Sequence, residues 1–435
     1  MAETDTDAAD QFDARLAAGK LDESTPSLWR RYRRLPPNVF AISFVSLLND
    51  ASSEIIYPFL PLFLALTLGA SPAVIGVIEG AAESVSSLLK LFAGYFSDRR
   101  GRRKGLVVFG YALASFARPL LAFATSWPHV LLIRLADRVG KGIRSAPRDA
   151  MIADAVTVEQ RGLAFGFHRA MDHAGAVIGP LLGLAILLLV SANPDAPVAA
   201  DYTKVFLLAS VPALAAVLVA AFFVREKKRE QRVDAENLAP PRLSLRGFDG
   251  NFKMFLVLVA LFTLSNSSDA FLLLRARTAG ISAAMIPLLW AALHLSKVLS
   301  SLIGGGLSNR LGRKTLIASG WLLYAIVYAG FAFVSSTGAA WALFLVYGIY
   351  FGLAEGAEKA LVADLVCPDQ RGTAYGLYNL AFGITVLPAS LLMGALWQWR
   401  GAGVAFIVSA CIGASAALLL LLLVRSTNTQ AAAPA

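Results

Sequence analysis

The chain has 435 residues, of which 57% are hydrophobic and only 16% charged. A soluble protein carries about 25% charged residues, so this deficit, with apolar runs of about 20 residues, excludes an ordinary soluble domain. The formal net charge of +10 does not point to nucleic acid, because the lysines and arginines fall in loops between apolar segments, the positive-inside pattern.

The first 36 residues are polar, acidic and then basic (Arg30, Arg31, Arg33, Arg34). They read as a cytosolic tail and not as a cleaved signal peptide, which would carry a short apolar region and a cleavage site. Beyond them, apolar stretches predict twelve helices, at 38–66, 72–97, 104–125, 128–156, 162–190, 203–224, 252–275, 282–308, 313–335, 338–366, 371–397 and 403–424. They must be helices, since lipid offers backbone groups no other partner. Ser71-Pro72, Ser126-Trp127-Pro128 and Ser335-Ser336-Thr337-Gly338 mark turns between them. The chain divides into a tail (1–36), a six-helix bundle (37–224), a polar linker (225–251), a second bundle (252–424) and a short tail (425–435). Alternate loops are basic, which predicts an integral plasma (inner) membrane protein with both termini cytosolic. Trp127, Trp341, Trp397 and Trp399 fall near the outer ends, as an aromatic belt should.

An ionised side chain at mid-membrane costs about 2.5–3.5 kcal/mol on insertion scales, yet this chain carries many. Helix 1 holds Asn49, Asp50 and Glu54; the two acids are four residues apart on one face. Two close carboxylates repel when both are ionised, and a carboxyl that takes up and releases a proton can carry it across a membrane. The competing reading is that each acid pairs with an arginine and only joins helices. Helix 2 holds Glu79 and Glu83, again one turn apart, and Arg118 stands in helix 3 before Pro119. Helix 4 places cations at Arg134, Arg138, Lys141, Arg144 and Arg148, a stripe along one face that ends at Asp154. Arginine grips carboxylate or phosphate through a fixed fork. Part of the stripe is expected to neutralise the acids of helices 1 and 2, and part to meet an anionic substrate group. Helix 5 carries Gly175, Gly179, Pro180 and Gly183, after a polar face made by His168, Arg169, Asp172 and His173.

In the second bundle, helix 7 holds Asn266-Ser267-Ser268-Asp269, an echo of Asn49 to Glu54. Helix 8 holds His294 and Lys297, level with Glu83 of helix 2, which suggests acid in one half facing base in the other. A lone histidine is also compatible with a structural role. Helix 10 holds Glu355, Glu358 and Lys359; an offset of 210 residues sets Glu358 against Arg148 and Lys359 against Asp149, so the halves could bridge. Lys359 is also one turn from Glu355, and pairing within the helix is the plainer expectation.

The chain repeats itself. Gly94-x-x-x-Asp98-Arg99-x-Gly101-Arg102-Arg103 follows helix 2, and Gly305-x-x-x-Asn309-Arg310-x-Gly312-Arg313 follows helix 8, 211 residues later. Asp154 to Gly166 and Asp364 to Gly376 repeat at an offset of 210. Two homologous six-helix halves follow from this. The two loops resemble the signature loop of the major facilitator superfamily, and Gly175-x-x-x-Gly179-Pro180-x-x-Gly183 resembles that family's helix-5 motif, associated with antiporters. The resemblance implies the family fold: an all-α membrane protein of twelve transmembrane helices in two pseudo-twofold bundles, with helices 1, 4, 7 and 10 lining a central cavity. It also implies conformational latches in which Arg102 meets Asp154, Arg313 meets Asp364, and Asp98 lies near the start of helix 11. Gly94, Arg99, Gly101, Gly305 and Arg310 belong to the same loops. Asn309 in place of an aspartate departs from the pattern and removes a charge from the second latch. Close helix packing is an equal reading of the helix-5 glycines.

The expected function is secondary active transport of a polar or anionic small molecule by alternating access, proton-coupled and favouring antiport (efflux), through a monomer in the lipid bilayer. Symport of an organic anion or siderophore is the alternative. Proton-coupling candidates are Asp50, Glu54, Glu79, Glu83 and Asp269. Substrate-binding candidates are Asn49, Arg118, Arg134, Arg138, Arg144, Asn266, His294, Lys297, Glu355, Glu358 and Lys359. No Gly-x-x-x-x-Gly-Lys-Ser/Thr loop is present to bring in ATP. No cofactor, metal cluster or enzymatic constellation stands out, and a receptor would be expected to carry a sizeable extramembrane domain.

Overall fold

The computed structural model describes residues 35–100, 103–157, 160–226, 244–367 and 370–425, and all regular structure among them is helical. Most of the expected tail 1–36, the linker core 227–243 and residues 426–435 lie outside the described residues, as do Gly101 and Arg102. The helices of the first half are α1 (Pro37–Ile56), α2 (Pro72–Arg100), α3 (Lys104–Ala117), α4 (Trp127–Ala155), α5 (Arg161–Val190) and α6 (Ala199–Leu208, continued by Ser210–Phe222). Those of the second are α7 (Gly250–Ser265 and Ala270–Thr278), α8 (Ile286–Leu311), α9 (Arg313–Phe333), α10 (Thr337–Asp364), α11 (Arg371–Arg400) and α12 (Ala402–Leu423).

Ten of these segments are long and apolar enough to cross a membrane. The expected spans 128–156 and 282–308 are not among the ten. The charge stripe lowers the hydropathy of α4, and α8 is an apolar helix over Ile286–Ser301, the part of it whose side chains are described. Both are nevertheless long helices packed within the bundle, α4 against α2 and α3, α8 against α10 and α5.

Expected helix 3 tightens to a 3-10 turn over Arg118–Phe123 and helix 6 restarts after Ala209, while helices 1 and 7 are broken outright. The first ends at Ile56 and resumes as Leu60–Leu62 and a π-turn, Phe63–Thr67, because Pro58 cannot donate to the helical ladder. The seventh is interrupted at 266–269, where short polar side chains compete for backbone partners. Ser268 Oγ accepts from the Ala270 N–H at 3.2 Å, and Ser390 Oγ of α11 accepts from the Ser268 N–H at 3.4 Å. Irregular backbone at membrane depth is tolerated where the protein interior satisfies it. The chain turns between α8 and α9 at Gly312, whose φ of +79° disfavours any side chain.

The halves meet along α2 with α11 and α5 with α8. The end carrying Arg103, Arg313 and Lys314 is called the basic end here. At the opposite end Leu62 is buried in the aromatic core of the second half, while Ala270 and Leu274 are buried in the first. Along the α2–α11 seam, contacts run from Pro72 with Gly394 to Ser87 with Gly383. Toward the basic end, axis-facing side chains reach solvent: Arg169 is 59% exposed and Glu355 51%.

Candidate functional site

Two charge systems lie near the axis, and they differ in kind. The first joins α1 to α4 within the first half and is closed on itself. Arg134 donates to both carboxylate oxygens of Glu79, at 3.1 and 2.8 Å. Arg118 donates from Nε to Asp137 at 3.0 Å, and from its other nitrogens to the backbone and side-chain oxygens of Asn49, both at 3.0 Å. Asn49 in turn donates to Asp50 at 2.9 Å. Arg144 lies over the Tyr111 ring, 4.5 Å from its centroid, and reaches the Gly110 carbonyl at 3.4 Å. Arg118, Arg134, Asp137 and Arg144 are all buried. The stripe on α4 therefore meets its own half's acids. Asp137 was visible inside that stripe, and only the fold shows it as the shared counter-ion of Arg118, Arg134 and Arg138.

The expected facing of α2 acids and α8 bases is corrected by this geometry. Glu79 turns to Arg134, and Glu83 lies 3.8 Å from Arg138. The acids that meet α8 come from α1 and from the α7 break. Glu54 Oε2 accepts from Trp290 Nε1 at 2.7 Å and lies 3.9 Å from His294 Nε2. Lys297 Nζ lies 3.6 Å from Asp269 Oδ2, and Tyr347 donates its hydroxyl to Asp269 Oδ1 at 2.8 Å. This second system crosses between the halves and is only part-buried, with Lys297 14% and Glu54 21% exposed.

Aromatic rings enclose it. The Lys297 ammonium sits 3.7 Å from the Phe351 ring centroid, 5.5 Å from Trp290 and 5.9 Å from Tyr347. Tyr57 packs on Trp290 at 5.0 Å, and Asn266 donates to the Tyr350 hydroxyl at 3.2 Å. These rings were not expected. The signal that could have found one of them is spacing, because Trp290, His294 and Lys297 share one face of α8. A cation, two carboxylates, an imidazole and flat rings can together hold a polar or charged molecule while exchanging protons with it.

Glu358, buried in the second half, accepts from Trp321 Nε1 at 2.8 Å and from the Tyr378 hydroxyl at 2.5 Å. It does not bridge to Arg148, which donates instead to Asp149 at 3.0 Å. Lys359 turns to Glu355 at 2.9 Å, its neighbour one turn away. Among the described residues, Arg169 pairs with Glu355 across the halves toward the basic end, at 3.4 Å.

At the basic end Asp154 pairs with Arg103; the expected partner Arg102 lies outside the described residues. Arg103 stands at the start of α3, and its backbone N–H also meets the Glu226 carboxylate. Arg313 pairs with Asp364 and also donates to the Ala360 carbonyl at 2.7 Å. Gly94, Asp98 and Arg99 lie on α2, and Gly305 and Arg310 on α8. A cleft of about 740 Å³ opens beside the first latch, lined by Asn38, Arg103, Asp154, Phe222 and Arg225. It lies at the rim of the bundle, away from the inter-half system.

The helix-5 glycines lie against the acids of α1. A Cβ at Gly175 would stand 3.0 Å from the Asp50 Cβ, and one at Gly179 2.7 Å from the Glu54 Cβ. Gly183 continues this close face, against the Ile55 carbonyl, and Pro180 lies inside the same helix.

Comparison with known proteins accords with this architecture. The chain is 36% identical to an uncharacterized MFS-type transporter of Methanocaldococcus jannaschii, over 84% of this chain and 90% of that one. It is 22% identical to sugar efflux transporter B of Salmonella typhimurium, over 83% and 90%. In structure it resembles a bacterial homolog of the human lysosomal transporter Spinster, solved in an inward-facing and occupied conformation. The TM-score is 0.71 at 16% identity, covering 88% of this chain and 95% of that one. The family model of the Major Facilitator Superfamily matches residues 42–387 and 254–435. With two helical halves around an inter-half charge system and a family match along nearly its whole length, the chain belongs to the major facilitator superfamily of multi-pass membrane transporters.

Proposed function

We propose that this transporter exchanges a polar or anionic small molecule for protons, by alternating access, with Glu54 as the coupling carboxyl and Lys297 as the anion contact. The observation that carries the reading is the Trp290–Glu54 hydrogen bond, which ties α1 of one half to α8 of the other. A proton on Glu54 removes the charge that the indole N–H stabilises, so protonation and the fit between halves are linked. Glu79 and Glu83 act as structural partners of Arg134 and Arg138, and Arg118, Arg134 and Arg144 hold the first half together. Arg138 and Asp50 remain at the edge of the site. Export is favoured by the relative named as a sugar efflux transporter. In this reading the protein works as a monomer in the plasma membrane, with both termini cytosolic.

Import of an organic anion with protons is the second reading. It is favoured by Lys297, whose partner Asp269 lies at 3.6 Å, a distance at which an incoming carboxylate can compete.

The test uses the full chain in liposomes that enclose a pH dye. Carboxylates, phosphates, siderophores, sugars and cationic drugs are presented in turn, with Glu54→Gln and Lys297→Gln as controls. A pH change that needs one compound and vanishes in Glu54→Gln supports the reading, and its sign separates antiport from symport. Labelled compound that crosses with no pH change contradicts proton coupling.

A further inference from the structure

The seam between α1 and α5 holds buried polar groups that the proposed site does not use. Phe40 packs on Phe167 near its basic end, and Gly175 touches Leu47 further in. Between these contacts lie Ser43 and Ser46 of α1 and His168 and Asp172 of α5. His168 is 3% exposed, and Ser43 and Ser46 are fully enclosed. Neither ring nitrogen of His168 has a hydrogen-bond partner among the described residues, nor has Asp172 Oδ1 or Ser43 Oγ. His168 Nε2 lies 3.6 Å from Asp172 Oδ2.

Native proteins rarely leave buried polar atoms unpaired, and several in one seam call for a role or for ordered water. The order of the groups supplies the role. Glu54 and Asp50 are one turn apart on α1. Asp172 is the next acid toward the basic end, one turn before Gly175, and His168 is one turn further. The charged groups facing this file are Arg148 and Asp149 from α4, Arg169 from α5, and Lys141 and Arg144 from α4 beside Asp50.

We propose that Asp50, Asp172 and His168 form a proton path along the α1–α5 seam, connecting Glu54 to the basic end separately from the route taken by the transported molecule. The inference rests on the proton-coupled reading above and adds a route to it. Toward the basic end, the Glu54 O–H breaks and its proton joins the Asp50 carboxylate one turn away; the Asp50 O–H then breaks and that proton joins the Asp172 carboxylate. From there it bonds to His168 Nε2, forming imidazolium, and the Nδ1 proton leaves through ordered water that would have to enter the seam between buried His168 and the basic end. The histidine is then neutral with its proton on Nε2, and a ring flip or tautomer exchange through water restores the Nδ1–H form before the next transfer; no other reactant is consumed. His168 and Asp172 are positioning and relay residues that do not touch the transported molecule.

The experiment is rapid-scan infrared spectroscopy of the full chain in lipid after a pH jump, reading the protonated-carboxyl band, with no transported compound needed. Glu54→Gln and Asp50→Asn assign the band. In His168→Phe and in the isosteric Asp172→Asn the band is expected to reach its wild-type amplitude about tenfold or more slowly, the scale of a lost proton-transfer group. His168→Ala is expected to be slow as well, and to recover with added imidazole but not with thiophene, which has a similar shape and no basic nitrogen. An unchanged rise in both His168→Phe and Asp172→Asn would overturn the relay and leave Glu54 coupling in place. A wild-type chain with no titrating band from Glu54 or Asp50 would overturn the coupling reading, and the relay with it.

Discussion

Gly179 of α5 lies so close to Glu54 of α1 that a Cβ at 179 would stand 2.7 Å from the Glu54 Cβ and 2.6 Å from the Ala51 carbonyl oxygen. The glycine therefore does two things at once. It brings two helix backbones into contact, as small residues do in membranes, and it holds α1 where Glu54 can reach Trp290 of the other half. Gly179→Ala is expected to force α1 and α5 apart and to lower stability by about 1–3 kcal/mol, the usual cost of overpacking. Gly166→Ala, on the same helix with open space around it, is expected to be stabilising by up to about 1 kcal/mol. Thermal unfolding of both variants in detergent checks the contrast.

The Arg134–Glu79 pair is buried, bidentate and internal to one half. Arg134→Ala leaves Glu79 as an uncompensated charge and is expected to cost about 3–5 kcal/mol. Adding Glu79→Gln to that variant removes the orphaned charge and is expected to restore part of the loss. A double-mutant cycle read by thermal unfolding measures the coupling.

The Arg169–Glu355 pair makes the opposite case. Both side chains are more than half exposed, so Arg169→Ala is expected to change stability by less than about 1 kcal/mol. Any larger effect should appear in the rate of interconversion between conformations, because the pair spans the two halves. Unfolding and transport measured on one preparation separate the two.

Much of the fold was legible in the sequence. The repeated basic loops and the apolar lengths gave two halves and helix positions within a few residues. What the hydrophobic pattern could not reveal were the breaks at Tyr57–Phe59 and at 266–269, since both lie inside apolar runs and depend on where each freed backbone group finds a partner. The candidate site was half legible. Charges out of place in a membrane singled out Glu54, Asp269, His294 and Lys297, which lie together between the halves. Their pairing was not readable, because which acid meets which base is set by helix rotation and crossing. Hence Glu79 and Glu83 were expected opposite α8 but turn to α4. Tyr347 and Phe351 read as ordinary apolar residues, since an aromatic ring in a span carries no sign that a cation lies over it, whereas Trp290 shares a helix face with His294 and Lys297.

Lys297→Gln keeps the polar contact to Asp269 and removes the charge that the rings enclose. Transport of an anionic compound is expected to fall by about tenfold or more, in line with losing a charge-assisted hydrogen bond worth about 1.5–3 kcal/mol. Folding should be little changed. Equal transport by Lys297→Gln and wild type would remove Lys297 from the anion contact.

The most direct measurement compares two fluxes in Glu54→Gln, using whichever compound moves protons in the wild type. One is exchange of labelled for unlabelled compound at equal pH on both sides. The other is net movement driven by a pH gradient. If Glu54 is the coupling carboxyl, exchange should persist near the wild-type rate, while gradient-driven movement and its pH change disappear. Gradient-driven movement that survives in Glu54→Gln with its proton signal intact would contradict the account.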